Sequence, residues 1–320
     1  MFKLISPIAR RGVAMLASAA LAALTVSPAA AIPWTLNHQF ANSPDGATPA
    51  AKMLQVTCGG NHYLYGTTAT GGTSGQGTVF NYLLPSGPQT VITSFANGGT
   101  PLAKLIQVGA YLYGTTALDN GAGTVFRLPI GSCGPAAQTV IWSFGGPGDG
   151  QVPAAALLYL KDRLYGTTAY GGSAGLGTVF QCALTGACSV IHSFQGGPAD
   201  GETPMSALAF DSTPGGALYG TTEYGGTSGL GTVFKVGLWA NFGVETVMHN
   251  FGGAAAIPPD GAYPTAQLLM NAGNFFSTTS EGGTSANCTG GCGTIFKILP
   301  PLGSRTSPHT RSPVAFPVTR

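Results

Sequence analysis

Leu64-Tyr65-Gly66-Thr67-Thr68, followed after a glycine-rich turn by Gly77-Thr78-Val79-Phe80, is the stretch whose reading decides the fold. The pair returns at residues 112–116 with 123–126, at 164–168 with 177–180 and at 218–222 with 231–234. A worn fifth copy reads Phe275-Phe276-Ser277-Thr278-Thr279, then Gly293-Thr294-Ile295-Phe296. Self-similarity on a period of about 50 residues marks a repeat architecture, in which one supersecondary unit cannot bury its apolar face alone and stacks on its neighbours.

Working outward, each unit runs from one phenylalanine to the next: Phe40, Phe95, Phe144, Phe194 and Phe251. A loop of the form Asp-Gly-x-x-Pro follows the Phe, at Asp45, Asp149, Asp200 and Asp260, while the second unit has only Asn97-Gly98-Gly99 before Pro101. Next comes a short apolar strand, a (residues 104–108 or 155–160), and a tight turn such as Gly109-Ala110 or Lys161-Asp162 leads into strand b, the Leu-Tyr-Gly-Thr-Thr element. Connections this short imply antiparallel pairing. Between b and c lies a glycine-rich loop, Gly71-Gly72-Thr73-Ser74-Gly75-Gln76-Gly77 in the first unit, with several glycines expected at positive φ. Strand c is Thr-Val-Phe and a few more residues, and strand d spans 90–95, 139–144, 189–194 or 246–251. Val, Ile, Thr, Tyr and Phe dominate these strands, as a pleated, half-buried surface favours.

Four antiparallel strands in about 50 residues make one propeller blade, so the expected fold is all-β, a five-bladed β-propeller over residues 32–299. The fifth unit stops after strand c and has no d strand. Residues 35–40 (Thr35-Leu36-Asn37-His38-Gln39-Phe40) align with the d strand of residues 189–194 and belong to no blade. The N-terminal strand is therefore expected to complete the last blade and close the ring, which also removes exposed sheet edges.

The ends differ from the body. Lys3, Arg10 and Arg11 precede an apolar run over residues 13–24, and Ala29-Ala30-Ala31 supplies a small-residue cleavage site, so residues 1–31 read as a secretory signal peptide cleaved after Ala31. Arg10-Arg11 leaves twin-arginine export open. No later segment reaches the roughly 18 apolar residues a membrane span needs. Residues 300–320 are rich in Pro, Ser, Thr and Arg without periodicity and read as a disordered tail. Between these ends 7 Lys and Arg face 11 Asp and Glu. The body is mildly acidic and lacks the basic stripe that nucleic-acid binding requires.

The repeated Leu-Tyr-Gly-Thr-Thr and Gly-Gly-x-x-x-Gly-x-Gly-Thr-Val-Phe units resemble the GloVer (Gloeo-Verruco) tandem repeats of exported bacterial proteins, described as choice-of-anchor repeat proteins. The resemblance covers roughly residues 40–299. It implies secretion or surface display and brings no catalytic residues. The C-terminal anchoring segment of many such proteins has no counterpart in the tail, which holds no apolar stretch.

Candidate chemistry is sparse. His38, His192 and His249 each lie two residues before the closing Phe of a d strand, where other units carry Thr93 and Trp142. Equivalent positions in different blades are held apart, so these read as tolerated strand residues and not as a metal triad. The repeated Asp reads as an Asx-type turn, with Gly at positive φ and Pro stiffening the exit. A ring of calcium sites would need about 6–8 oxygens per ion, and each loop offers one carboxylate. Glu223 follows Thr-Thr in the fourth unit and Glu281 lies one place further on in the fifth; the pair could serve a glycoside hydrolase, or both could be solvated loop residues.

Six cysteines in an exported chain invite pairing. Cys182 and Cys188 flank a c-d turn, Cys288 and Cys292 bracket Thr-Gly-Gly in an enlarged b-c loop, and Cys58 and Cys133 remain. Zinc and phosphate sites lack their spacing, and no cofactor is expected. The b-c loops and d-to-a connections share one face. They gather Asp45, Asp149, Asp200, Asp260, Glu223, Glu281 and the loop aromatics Tyr170 and Tyr224, which makes this face the expected ligand site. The sequence thus reads as an exported non-catalytic binding or structural module for a polysaccharide or a surface protein, with a carbohydrate-active enzyme on the same fold as the alternative.

Overall fold

The computed structural model of the protein describes residues 35–212, 215–239, 241–256 and 259–299. The expected signal peptide and tail lie outside the described residues. The chain divides into Met1–Asn37, whose described residues 35–37 form no strand, and His38–Arg320, which holds every described strand.

The protein is all-β, with two 3-10 turns of three residues as its only described helix. In the first sheet strands Leu54–Cys58, Asn61–Gly71, Thr78–Leu83 and Gln89–Ser94 follow one another as a, b, c and d, and Gly46–Pro49 adds to the far end of b. The second sheet is Ile106–Val108, Tyr111–Thr116, Thr124–Pro129 and Thr139–Ser143. The third is Leu158–Leu160, Arg163–Thr168, Thr178–Ala183 and Gly186–Ser193. Ala209–Asp211, Ala217–Thr222, Thr232–Gly237 and Glu245–Asn250 make the fourth. The last sheet has three strands, Leu269–Asn271, Asn274–Thr279 and Thr294–Ile298. All of these pairings are antiparallel, as the short connections dictate. In the third unit both turn residues, Lys161 and Asp162, take positive φ, the twist that suits a two-residue hairpin.

Each letter of the repeated motif has a structural cause. The c-strand Phe lies across the b-strand Gly: a Cβ on Gly66, Gly166 or Gly220 would stand 2.5 Å from a ring carbon of Phe80, Phe180 or Phe234. The first Thr of the pair reaches into the next unit, where Thr167 Oγ1 donates to Ser206 O at 3.1 Å and Thr67, Thr115 and Thr221 do the same to Ala103, Ala155 and Ala266. The second Thr meets the Thr of strand c in a hydroxyl pair of 2.7–2.9 Å in all five units, buried in four and part-buried in the fifth. An unpaired buried hydroxyl is costly, so Thr recurs at both places together.

Units are joined through their faces. The closing Phe of each d strand packs edge-on against the c-strand Phe of the following unit, as Phe95 does on Phe126, Phe144 on Phe180 and Phe194 on Phe234, at 5.0–5.1 Å between centroids. The apolar clusters follow this pattern: Val79, Ile92 and Phe95 of the first unit are buried with Leu105, Leu112 and Phe126 of the second. Register shifts by one residue at the same place in four c-d pairs, such as Val79/Phe80, which leaves Ile92 bulged and frees its carbonyl to accept Ala136 N–H of the next unit at 3.0 Å. Three disulfides add to this: Cys58–Cys133 ties the first two units, Cys182–Cys188 crosses the c-d hairpin of the third, and Cys288–Cys292 closes a small ring in the fifth. All three pairings match the sequence expectation, and they suit an oxidising compartment.

No closed sheet occurs among the described residues. Residues 35–40 form no strand, and no described strand pairs with the outer edge of Thr294–Ile298. Ile295 is accordingly 83% exposed, where its equivalents Val79, Val125, Val179 and Val233 are all at 0%.

Candidate functional site

The repeated Asp is built into a latch. Asp45, Asp149, Asp200 and Asp260 each accept the N–H of the following Gly on Oδ1 at 2.7–2.8 Å, one residue on and not the two residues on of the expected Asx turn. The other oxygen takes a ring N–H from the segment before the loop, a d strand in all but the first case: His38 at 2.9 Å, Trp142 at 3.0 Å, His192 at 3.2 Å and His249 at 2.7 Å. The histidines read in the sequence as tolerated strand residues therefore have a partner, and they stay in separate units. Sequence reasoning missed this pairing although a signal was there. The one described d strand without a ring N–H, at Thr93, precedes the one loop without an Asp.

The turn reading needs a further correction. Gly46, Gly150, Gly201 and Gly261 are not at positive φ; they are glycine because a Cβ would stand 2.4 Å from the Thr of strand b, Thr68, Thr168, Thr222 or Thr279. Positive φ falls instead on the residue before Pro, at Thr48, Thr100, Val152, Thr203 and Tyr263, with φ of 44–59°. A residue before proline prefers extended backbone, so sequence patterns give no warning of this. Hydrogen bonds hold the strain: Thr203 N–H donates to Leu176 O of the unit before it at 2.9 Å, and Thr203 O accepts from Glu223 N–H at 3.0 Å. Strain of this kind gathers at ligand-facing loops.

Two-stranded ribbons on this face present the candidate side chains. Gln151 pairs with Tyr170, Glu202 with Tyr224, Ala47 with Thr70 and Ala262 with Glu281, so these b-strand extensions share one register position in successive units. Tyr170 is 52% and Tyr224 41% exposed. Tyr263, which the sequence reading passed over, packs edge-on against Tyr224 at 5.5 Å, carried there by its left-handed backbone. The Glu223 carboxylate beside the Tyr224 hydroxyl pushes that phenol up, through its charge first and its hydrogen bond second, with smaller contributions from burial, Tyr263 and Tyr170. Tyr170, Glu223, Tyr224 and Tyr263 thus form one neighbourhood. The Glu281 carboxylate lies against Gly290 of its own b-c loop, and the four Asp carboxylates are engaged in their latches. Chemically the neighbourhood offers aromatic faces beside one carboxylate, a surface suited to stacking and hydroxyl recognition.

The family model described as Gloeobacter/Verrucomicrobia repeat matches residues 117–312. No curated protein matches the chain. Among solved structures, a prolyl endopeptidase is similar with a TM-score of 0.40 at 14% identity, over 77% of this chain and 35% of that one. The N11 neuraminidase-like protein of A/flat-faced bat/Peru/033/2010 (H18N11) is similar with a TM-score of 0.36 at 12% identity, over 79% and 88%. An α-L-arabinofuranosidase from Clostridium thermocellum has a TM-score of 0.36 at 12% identity, over 72% and 81%. The chain thus spans about a third of the length of the prolyl endopeptidase.

Proposed function

We propose, from the premise that this chain belongs to the Gloeobacter/Verrucomicrobia repeat family, that it is an exported, non-catalytic binding module: a five-bladed β-propeller whose b-c loop face holds a polysaccharide. The observation that carries the reading is the exposed neighbourhood of Tyr170, Tyr224 and Tyr263 around Glu223. Tyrosine faces stack on the C–H faces of sugar rings at small cost in side-chain entropy, and a carboxylate accepts hydroxyl hydrogen bonds. Three disulfides support an oxidising destination, in keeping with a leader over residues 1–31.

A surface protein is the other partner such a face would serve. A glycoside hydrolase would need two carboxylates facing one bond, whereas Glu223 attends the Tyr224 hydroxyl and Glu281 packs against Gly290, which favours binding. The test is a glycan array with a parallel hydrolysis assay, run on the protein and on the Tyr170→Ala, Tyr224→Ala double variant. Retention of one neutral polysaccharide without product release, lost in the variant at unchanged melting temperature, is the expected result. Undiminished binding by the variant would move the site elsewhere, and released sugar would make the protein an enzyme.

A further inference from the structure

We propose that a cavity between the fourth and fifth units is a separate site that receives a single neutral pyranose residue. The cavity measures about 470 Å³ and is lined by Thr227, Ser228, His249, Asn250, Pro259 and Asp260 among others. Its origin lies in how the fourth unit departs from the third. There, the Gln195 side chain fills the equivalent place, with Nε2 donating to Ser173 Oγ at 2.9 Å and Ser193 O at 2.8 Å. Gly252 stands at that position in the fourth unit, and eight residues separate Phe251 from Asp260 where five separate Phe194 from Asp200. With no side chain at Gly252, the space that Gln195 fills in the unit before is open.

A second change equips it. Ser193 Oγ accepts the Ser173 N–H at 3.3 Å, and Asn250 Oδ1 does the same job for Thr227 N–H at 3.1 Å. Asparagine keeps the structural bond and adds an amide, Nδ2, that has no protein partner among the described residues. His249 gives Nε2 to Asp260, which leaves Nδ1 without one as well. With two hydroxyls from Thr227 and Ser228, the lining offers alternating donors and acceptors, and Pro259 offers an apolar patch for a C–H face.

The charges narrow the ligand class. No Lys or Arg lines the cavity, which disfavours an anion, and both oxygens of its one carboxylate are engaged, Oδ1 by Gly261 N–H and Oδ2 by His249, which disfavours a cation. A neutral polyhydroxy ligand remains, and the volume lies within the roughly 300–1,000 Å³ of small-ligand sites. The two loops that wall the cavity also carry Tyr224 and Tyr263. The inference rests on the saccharide reading above while using different side chains.

The experiment is a titration of the whole protein with xylose, glucose, galactose and N-acetylglucosamine, and with glucuronate and calcium as charged controls, followed by calorimetry and the His249 ring resonances. At least one neutral sugar should bind at ~10 mM or below. Asn250→Ser, the residue other units carry, should weaken it about tenfold without changing the melting temperature, and Ser228→Trp should abolish it. The Tyr170→Ala, Tyr224→Ala variant should still bind the monosaccharide, which separates failure of the cavity from failure of the tyrosine face. Silence of the His249 resonances toward every neutral sugar, equal affinity in Asn250→Ser, or response to glucuronate or calcium alone would overturn the proposal.

Discussion

At the scale of single residues, the start of strand d is informative because three units place the same problem there. Gln89, Gln138 and Glu245 occupy equivalent positions, and each buries one side-chain polar atom without a partner among the described residues. For Glu245 the consequence is electrostatic: burial, with the charge of Asp200 second, raises its carboxyl from the ordinary 4.5 to about 8. The folded chain keeps this proton up to about pH 8 while the unfolded chain releases it near 4.5, so unfolding releases a proton in between. Stability from this group is whole below pH 4.5, declines as pH rises through the window and is lost above about 8. Glu245→Gln installs the residue of the first two units and should flatten the decline. At pH 8 the gain should be about 1 kcal/mol after screening of a partly exposed group, or ~2–4 °C in Tm. Thermal melts of both proteins at pH 5 and pH 8 decide it, since an equal difference at both values would remove the carboxyl as cause.

At the scale of elements, the latch between strand d and the loop after it uses a ring N–H, and the chain contains its own control in Trp142. Trp142→His keeps a ring N–H for Asp149 of the kind seen at His192, whereas Trp142→Phe leaves Asp149 Oδ2 without its donor at 3.0 Å. Denaturant unfolding should show the Phe variant about 1–2 kcal/mol less stable than the His variant. Equal losses would mean that ring volume, and not the hydrogen bond, holds the loop. The latch also shows where the sequence could be read and where it could not. Strand order, hairpins, the two short-range disulfides and the b-c glycines follow from local signals of alternation, spacing and turn chemistry, and all are present. The positive φ at Tyr263 does not, because the residue before a proline resists that conformation and only hydrogen bonds to another unit impose it. Tyr263 packs edge-on against Tyr224 for that reason, and a one-dimensional reading had no means to add it to the site.

At the scale of the whole molecule, the question is what covers the last sheet. His38, Phe40 and Asp45 reproduce the geometry of a d strand and its latch: the His38 and Phe40 rings meet at 4.8 Å and 86°, as His192 and Phe194 do, and Phe40 packs on Phe80 at 5.0 Å as Phe194 packs on Phe234. The segment ending at Phe40 thus stands toward the first unit as a preceding d strand would, and we propose that pairing with Thr294–Ile298 makes it the fourth strand of the fifth blade. Closure would bury Ile295, now 83% exposed, as its equivalents are buried. Ile295→Asp discriminates between the arrangements, because a charge on an exposed edge costs almost nothing while an unpaired buried carboxylate costs several kcal/mol, roughly 3–5 by analogy with broken buried ion pairs. We expect a loss of that size, comparable to Val233→Asp, and slow amide exchange across residues 294–298 in the parent protein. A chain that begins at Asp45 should lose similar stability for the same reason, since it leaves that strand without a neighbour. An Ile295→Asp protein that melts with the parent, while Val233→Asp does not, would leave the array of five units open.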